Sequence, residues 1–493
     1  MASGDISSQV QLEQASPLKI WTILRLGLFQ MSLGVMSVMV LGILNRIMIN
    51  ELDVPATLAA GAIAMHQFVA PARVWFGQLS DARPIWGKHR TGYIWLGAIG
   101  FCLAAFLAVQ VMWGLGSEIQ DNGLTGAVYS WVALLAVVFV GYGLALSASS
   151  TPFAALLVDV SQEEERSKLV GIVWSMLMVG IVISGITGSV FLSRLEDAPV
   201  VTGAKVGVAL ITGQEVMQAS IASLQPPINT MFTVVILVVL GLTALATWGI
   251  EDRFSQYKNR SSAVDREDSI TLGRAIRVLT ASRQTGTFFT FLMIMTLSLF
   301  LQEAVLEPYG GEVFQMSIAA TTRLNSYWGT GTLIGLLLTG FLVVPRLGKR
   351  RTAQLGCLAV AASFGLIILA GFSQTAPLLE ISVLLFGLAA GVTTTGAISL
   401  MLDLTAAETA GTFIGAWGLA QAMARAIATV SGGAILDLGK AIFPTPALAY
   451  ALVFGLQALG MILAVWLLSR VDVREFQTTA KTAIAKILQE QLD

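Results

Sequence analysis

The sequence predicts an all-α polytopic membrane protein, with twelve transmembrane helices in two pseudo-symmetric six-helix halves. Three observations lead there. The 493-residue chain is 55% hydrophobic yet only 12% charged, with a mean hydropathy of +0.76. A soluble domain carries about 25% charged residues, so half of the usual charge is missing. The apolar residues gather into runs of about 20, the length that crosses a hydrocarbon core. Finally, two loop motifs each occur twice, at corresponding places in the two halves.

The runs fall at 22–44, 57–79, 91–114, 129–158, 168–193 and 230–250 in the first half. In the second they fall at 286–306, 321–344, 352–372, 377–402, 411–436 and 446–469. Basic residues then set the sidedness. With the N-terminus inside, the inner segments hold 22 of the 29 Lys and Arg, among them Arg83, Lys88, Arg90, Arg346, Lys349, Arg350 and Arg351. Outer segments hold Arg46, Arg194, Lys205, Arg323 and Lys440, while Arg73 and Arg425 lie within spans. An excess of Lys and Arg marks cytoplasmic loops, so both termini are expected in the cytoplasm.

Gly87-Lys88-His89-Arg90-Thr91 after the second run is echoed by Gly348-Lys349-Arg350-Arg351-Thr352 after the eighth. Asp159-Val160-Ser161 after the fourth is echoed by Asp403-Leu404-Thr405 after the tenth. Such repeats signal two copies of one plan. The expected divisions are a first half at 1–250, a cytoplasmic linker at 251–285, a second half at 286–470 and a tail at 471–493. In the linker Ile270, Leu272, Ile276 and Leu279 alternate with Arg274 and Arg277, the pattern of a helix lying on the inner leaflet. The tail is amphipathic through Phe476, Ala480, Ile484 and Ile487. The outer loop 195–229 contains Pro226-Pro227 and carries no functional signal.

Charge inside a span is expensive, about 2.5–3.5 kcal/mol for a central arginine on insertion scales, and marks a polar interior. Arg425, with Gln421 one turn earlier, is expected to face such an interior, and so is Arg73 as partner of a carboxylate. Leu301-Gln302-Glu303-Ala304-Val305-Leu306-Glu307-Pro308-Tyr309-Gly310-Gly311 ends an uncharged run with two carboxylates four residues apart, stacked on one face if helical. Pro308 disfavours helical geometry at Glu307, and Gly310-Gly311 argues against resumption, so the helix should end or break there. Glu303 is the deeper acid, whereas Glu307 and Arg46 are expected at the outer boundary, paired or snorkelling. His66 lies within the second run, on nearly the same face as Arg73. It is either a core histidine bonded to a neighbouring helix or a neutral imidazole free to bind a metal.

Gly77-Gln78-Leu79-Ser80-Asp81 followed by Gly87-Lys88-His89-Arg90 resembles the loop signature of the major facilitator superfamily, with Ala82 to Trp86 making the loop longer than usual. That resemblance implies a cytoplasmic gate or latch in which Asp81 and Arg90 act, with Lys88, Asp159 and Asp403 beside them. Three further stretches are similar to the PucC-like, bacteriochlorophyll-delivery branch of that superfamily in phototrophic bacteria. They are Leu26-Gly27-Leu28-Phe29 through Asn45-Arg46-Ile47-Met48, Glu51-Leu52-Asp53-Val54-Pro55-Ala56, and the segment from Gln302 to Gly311. This resemblance implies a membrane factor for assembling light-harvesting or photosystem complexes, which binds or delivers chlorophyll, bacteriochlorophyll or a tetrapyrrole precursor. It also implies antenna or photosystem apoproteins and pigment-synthesis enzymes as partners, in a plasma, intracytoplasmic or thylakoid membrane. His66, Arg73, Glu303, Arg425 and Gln421 would then line the cavity, with His66 as axial ligand to the pigment magnesium. Asn45, Arg46, Glu307 and Tyr309 would form the outer-side set.

The same intramembrane charges suit a second class, a proton-coupled secondary transporter of a small amphipathic solute, with Glu303 carrying the proton. Enzyme chemistry has no support, because nucleotide-cradling glycine loops, serine elbows and metal-ligand clusters are missing from the sequence. His66 and His89 are the only histidines, so no multi-histidine metal centre is possible. Cys102 and Cys357 sit in apolar runs and read as buried small residues. A net charge of −1 gives no sign of nucleic-acid binding.

Overall fold

Helix formation follows the apolar runs, and the departures occur at prolines and polar residues. The computed structural model describes residues 19–161, 163–196, 213–254, 283–404 and 410–471. The first span joins α1 (Ile20–Ser37), a wide π turn (Val38–Leu44) and α2 (Asn45–Asn50) into one rod of 31 residues. The second is α3 (Ala56–Phe68) and α4 (Ala72–Ala82), interrupted at Val69-Ala70-Pro71. Pro71 has no N–H to continue the ladder, and the Gln67 carbonyl takes the Ala70 N–H instead, at 3.0 Å. The single helix expected over 57–79 is therefore two.

Four long helices complete the first half: α5 (Thr91–Asn122), α6 (Gly126–Val160), α7 (Glu163–Glu196) and α8 (Gly213–Thr247), with the short α9 (Ile250–Phe254) after them. Helix α8 starts well before the expected residue 230 and passes through Pro226-Pro227, which the sequence reading had assigned to a loop. The second half has α10 (Arg283–Phe300), α11 (Leu306–Phe314) and α12 (Ile318–Leu338). A second π turn (Thr339–Val343) leads from α12 into α13 (Val344–Leu347). Then come α14 (Lys349–Ser373), α15 (Ala376–Leu404), α16 (Ala410–Ile442) and α17 (Pro446–Ser469). The expected interfacial helix of the linker and the amphipathic tail lie outside the described residues.

Among the described residues, eight helical rods are long and apolar enough to cross a membrane. The four expected spans not among them are the second, seventh, eighth and eleventh. These carry His66 and Arg73, Glu303 and Glu307, Arg323 and Asn325, and Gln421 and Arg425. The second and seventh are divided into shorter helices, of which Gly286–Phe300 is itself apolar.

The packing repeats between the halves. In the first, α5 lies against α6, while α1 and α5 both meet α8; in the second, α14 lies against α15, while α10 and α14 both meet α17. The two most extensive contacts between the halves are α3 with α16 and α7 with α12, and these pairs are themselves related by the repeat. Lipid tails are as apolar as leucine, so close packing and interhelical hydrogen bonds hold such a bundle together. Cys102 and Cys357 are both buried and free.

Candidate functional site

The seventh span breaks, but earlier than the sequence suggests. Helix α10 ends at Phe300, residues 301–305 form tight turns, and α11 then carries Pro308 in its first turn and continues through Gly310-Gly311. A proline ring disrupts the bond to the carbonyl four residues back, here that of Ala304. The Asn45 side-chain amide donates to the Ala304 carbonyl at 2.9 Å and supplies what Pro308 cannot. Helix α11 persists beyond Gly310 because the first span holds it. Asn50 donates to the Pro308 carbonyl at 3.3 Å, and the Arg46 guanidinium lies directly over Gly311, where a Cβ would collide with it.

With the break placed there, the two carboxylates do not share a face. Glu303 sits in the turn and receives two hydrogen bonds from Arg425 of α16, through Nε at 3.0 Å and through Nη2. Thr429, one turn on, donates to it at 3.3 Å, and the Arg425 guanidinium rests 4.5 Å above the Phe300 ring. The pair is not sealed: the Arg425 side chain is 37% exposed and Glu303 12%. His66 of α3 feels the charges of Arg425, Glu303 and Arg73. Its Nδ1 lies 2.5 Å from the Ile63 carbonyl, and its ring stands edge-on to Tyr142 of α6.

Arg73 departs from expectation. It is exposed in the first turn of α4, has no ion pair or hydrogen bond among the described residues, and its charged neighbour is Arg425, not a carboxylate. Gln421 is half-buried, one turn towards the inner side from Arg425, and likewise has no hydrogen-bond partner among the described residues.

The outer-side set is also not where the sequence suggests. Asn45, Arg46, Glu307 and Tyr309 are all buried, with Arg46 4% and Glu307 6% exposed. Arg46 pairs with Glu51 at 2.9 Å and reaches the Met316 carbonyl at 3.5 Å. Glu307 accepts from Asn325 of α12 at 2.5 Å, lies against Gly42 in the π turn, and has no hydrogen bond at its second oxygen. Tyr309 donates to the Ile367 carbonyl at 2.8 Å within an aromatic cluster of Phe314, Tyr450 and Phe454. These side chains close the end of the bundle opposite the 82–90 loop instead of lining a surface. Asp437 of α16 adds to that closure, because its carboxylate accepts from the Ala56 and Thr57 N–H groups at 3.0 and 2.8 Å and from the Thr57 hydroxyl at 2.6 Å. It caps α3 from the other half, where Pro55 cannot. Across the two halves α3 packs along α16.

At the inner end of the first half Arg90 is buried among three partners. Its Nε meets Asp159 at 2.8 Å, Nη2 meets Asp81 at 2.6 Å, and Nη1 donates to the Ser80 hydroxyl at 2.7 Å. Burial opposes the charge of Arg90, but Asp159 and Asp81 outweigh that and hold the guanidinium above its usual range. Lys88 pairs with Asp252 at 2.7 Å on the surface, where such pairs contribute little. Glu251 accepts the His89, Arg90 and Thr91 N–H groups at 2.7, 3.1 and 2.7 Å, capping α5 from the end of the sixth span. The Asp403 side chain lies outside the described residues.

Sequence reasoning missed Glu251, Asn325, Thr429 and Asp437. Only Glu251 had a local signal, an acid immediately after a span beside a basic loop.

Among the described residues, helices whose packing repeats between two halves around a charged pair define a membrane protein of the major facilitator type. Solved structures match accordingly. A bacterial homologue of the iron transporter ferroportin, in an inward-facing state, superposes with a TM-score of 0.63 at 13% identity, over 92% of this chain and 99% of that one. A D-xylose–proton symporter gives 0.63 at 14% identity, over 92% and 98%. At such identities the likeness establishes the fold alone. The chain belongs to the PucC family, matching the PUCC protein family over residues 43–476. It is 29% identical over 456 residues to the "Bacteriochlorophyll synthase 44.5 kDa chain" of Rhodobacter capsulatus, covering 90% of this chain and 93% of that relative. It is 27% identical to Protein PucC of Rhodovulum sulfidophilum over 422 residues, 84% and 85% of the two chains. The protein is thus an integral membrane member of a photosynthesis-related family.

Proposed function

We propose that this protein is a non-enzymatic assembly factor that binds chlorophyll, bacteriochlorophyll or a tetrapyrrole precursor between its halves and hands it to light-harvesting or photosystem apoproteins. One observation carries the reading, the state in which His66 is held. An imidazole Nδ1 beside a carbonyl oxygen carries the proton, which leaves Nε2 with its lone pair. Among the described residues Nε2 has no hydrogen bond, and Arg425 and Glu303 stand nearby. A pigment magnesium supplies one open axial position, and His66 is the one histidine within a span. Tyr142 and Phe139 flank the ring and hold its plane. The Arg425–Glu303 pair keeps this depth polar, so the halves can part there towards the cytoplasm without exposing an unpaired charge.

The name of the Rhodobacter capsulatus relative supports a link to bacteriochlorophyll, and the transporter-type fold supports binding over catalysis. The test is absorption spectroscopy of protein purified from a pigmented host. The wild type is expected to carry a tetrapyrrole with a ligated-magnesium spectrum, and His66→Ala to shift its band. Protein that purifies with neither pigment nor antenna polypeptide contradicts the proposal.

The transporter reading draws on the fold and on Glu303, a protonatable acid paired with a cation within the bundle. It predicts that Glu303→Gln abolishes uptake driven by a pH gradient in vesicles; unchanged uptake removes Glu303 as the coupling acid.

A further inference from the structure

The charges facing the interior do not cancel. Arg425 is neutralised by Glu303 through two hydrogen bonds, and His66 is bonded as a neutral imidazole. Arg73 then remains as a surplus cation. It is exposed in α4, and Arg425 of α16 is its charged neighbour among the described residues. An unpaired arginine within a span is costly unless it faces water or a partner. Arg73 therefore borders the space between the second and eleventh spans, where among the described residues it meets a like charge and no acid.

We propose that the molecule held there carries a free carboxylate and that Arg73 pairs with it. Resting on the pigment reading above, this makes the cargo the acid form of the tetrapyrrole, before its side-arm carboxyl is esterified with an apolar tail. Arg73 lies seven residues beyond His66, an axial rise of about 10 Å even with the intervening turn taken as helix. That separation suits a ring centred on His66 whose side arm extends towards the cytoplasmic opening. A guanidinium offers a carboxylate two parallel donors, which an ester oxygen cannot match in charge. The reaction that consumes this cargo is then of the esterifying class, downstream of delivery.

The experiment titrates purified protein in zwitterionic nanodiscs with chlorophyllide and with its methyl ester, reading quenching of pigment fluorescence. The wild type is expected to bind the acid at least about tenfold more tightly than the ester, as a charge-assisted pair implies. Arg73→Gln should abolish that preference while leaving ester binding unchanged, and Arg73→Lys should restore much of it. His66→Ala should move the absorption band of the bound pigment yet keep the acid preference. Equal binding of acid and ester by the wild type overturns the carboxylate inference while the pigment reading stands. Loss of both ligands equally in Arg73→Gln also overturns it. Binding of neither by the wild type removes the pigment reading and this inference together.

Discussion

Glu303 and Glu307 are one helical turn apart in sequence, yet they occupy opposite kinds of environment. Glu303 faces a cation with two hydrogen bonds and keeps some exposure; Glu307 is sealed, with a neutral amide as its donor. The proline-induced turn at 301–305 separates them, sending one acid to α16 and the other to α12. The difference teaches that membrane depth alone does not assign a role to a buried acid. Glu303 belongs to a charged cluster between the halves, paired with Arg425 and partly exposed. Glu307 belongs to the closed outer end, where the first, seventh and eighth spans meet.

Substitutions can break that contrast, and the largest effect is expected at Arg425. Arg425→Ala leaves the Glu303 carboxylate buried without its cation, which costs about 3 kcal/mol, the lower end for a broken buried pair because Arg425 is partly exposed. Thermal unfolding in detergent reads the loss, and adding Glu303→Gln should recover most of it. Asn325→Ala removes the donor to Glu307 and is expected to cost about 2 kcal/mol by the same assay. Asn45→Ala strips the Ala304 carbonyl of its replacement donor, for about 1 kcal/mol. Glu307→Gln is expected to cost less than Asn325→Ala, since the amide oxygen still accepts from Asn325. A loss at Glu307→Gln as large as that at Arg425→Ala would erase the distinction between the two acids.

Much of this was legible in the chain. Missing charge and apolar runs pointed to the all-α membrane fold, and the repeated Gly-Lys-x-Arg-Thr loops to packing that recurs in two parts. Arg425 could be assigned to the interior because lipid rejects a guanidinium. Pro308 announced a break, but its ring acts on the carbonyl four residues earlier, so the helix failed before Glu303 and not at Glu307. The resumption through Gly310-Gly311 was hidden, because Arg46 and Asn50 of the first span hold that helix in place. Partners far away in sequence were equally hidden: Asn45 and Ala304 are 259 residues apart, and Thr57 and Asp437 are 380. Arg73 was misread because a lone span cannot reveal whether the charge across the gap is an acid or another arginine.

Labelling of a cysteine at residue 421 tests the interior most directly. Cys102 and Cys357 are buried, so Gln421→Cys adds a new accessible thiol one turn below Arg425. In sealed vesicles, a membrane-impermeant maleimide should label it from the cytoplasmic side and not from the outer side. Labelling from the outer side alone, or from neither side, would contradict a polar interior that opens inward between the halves.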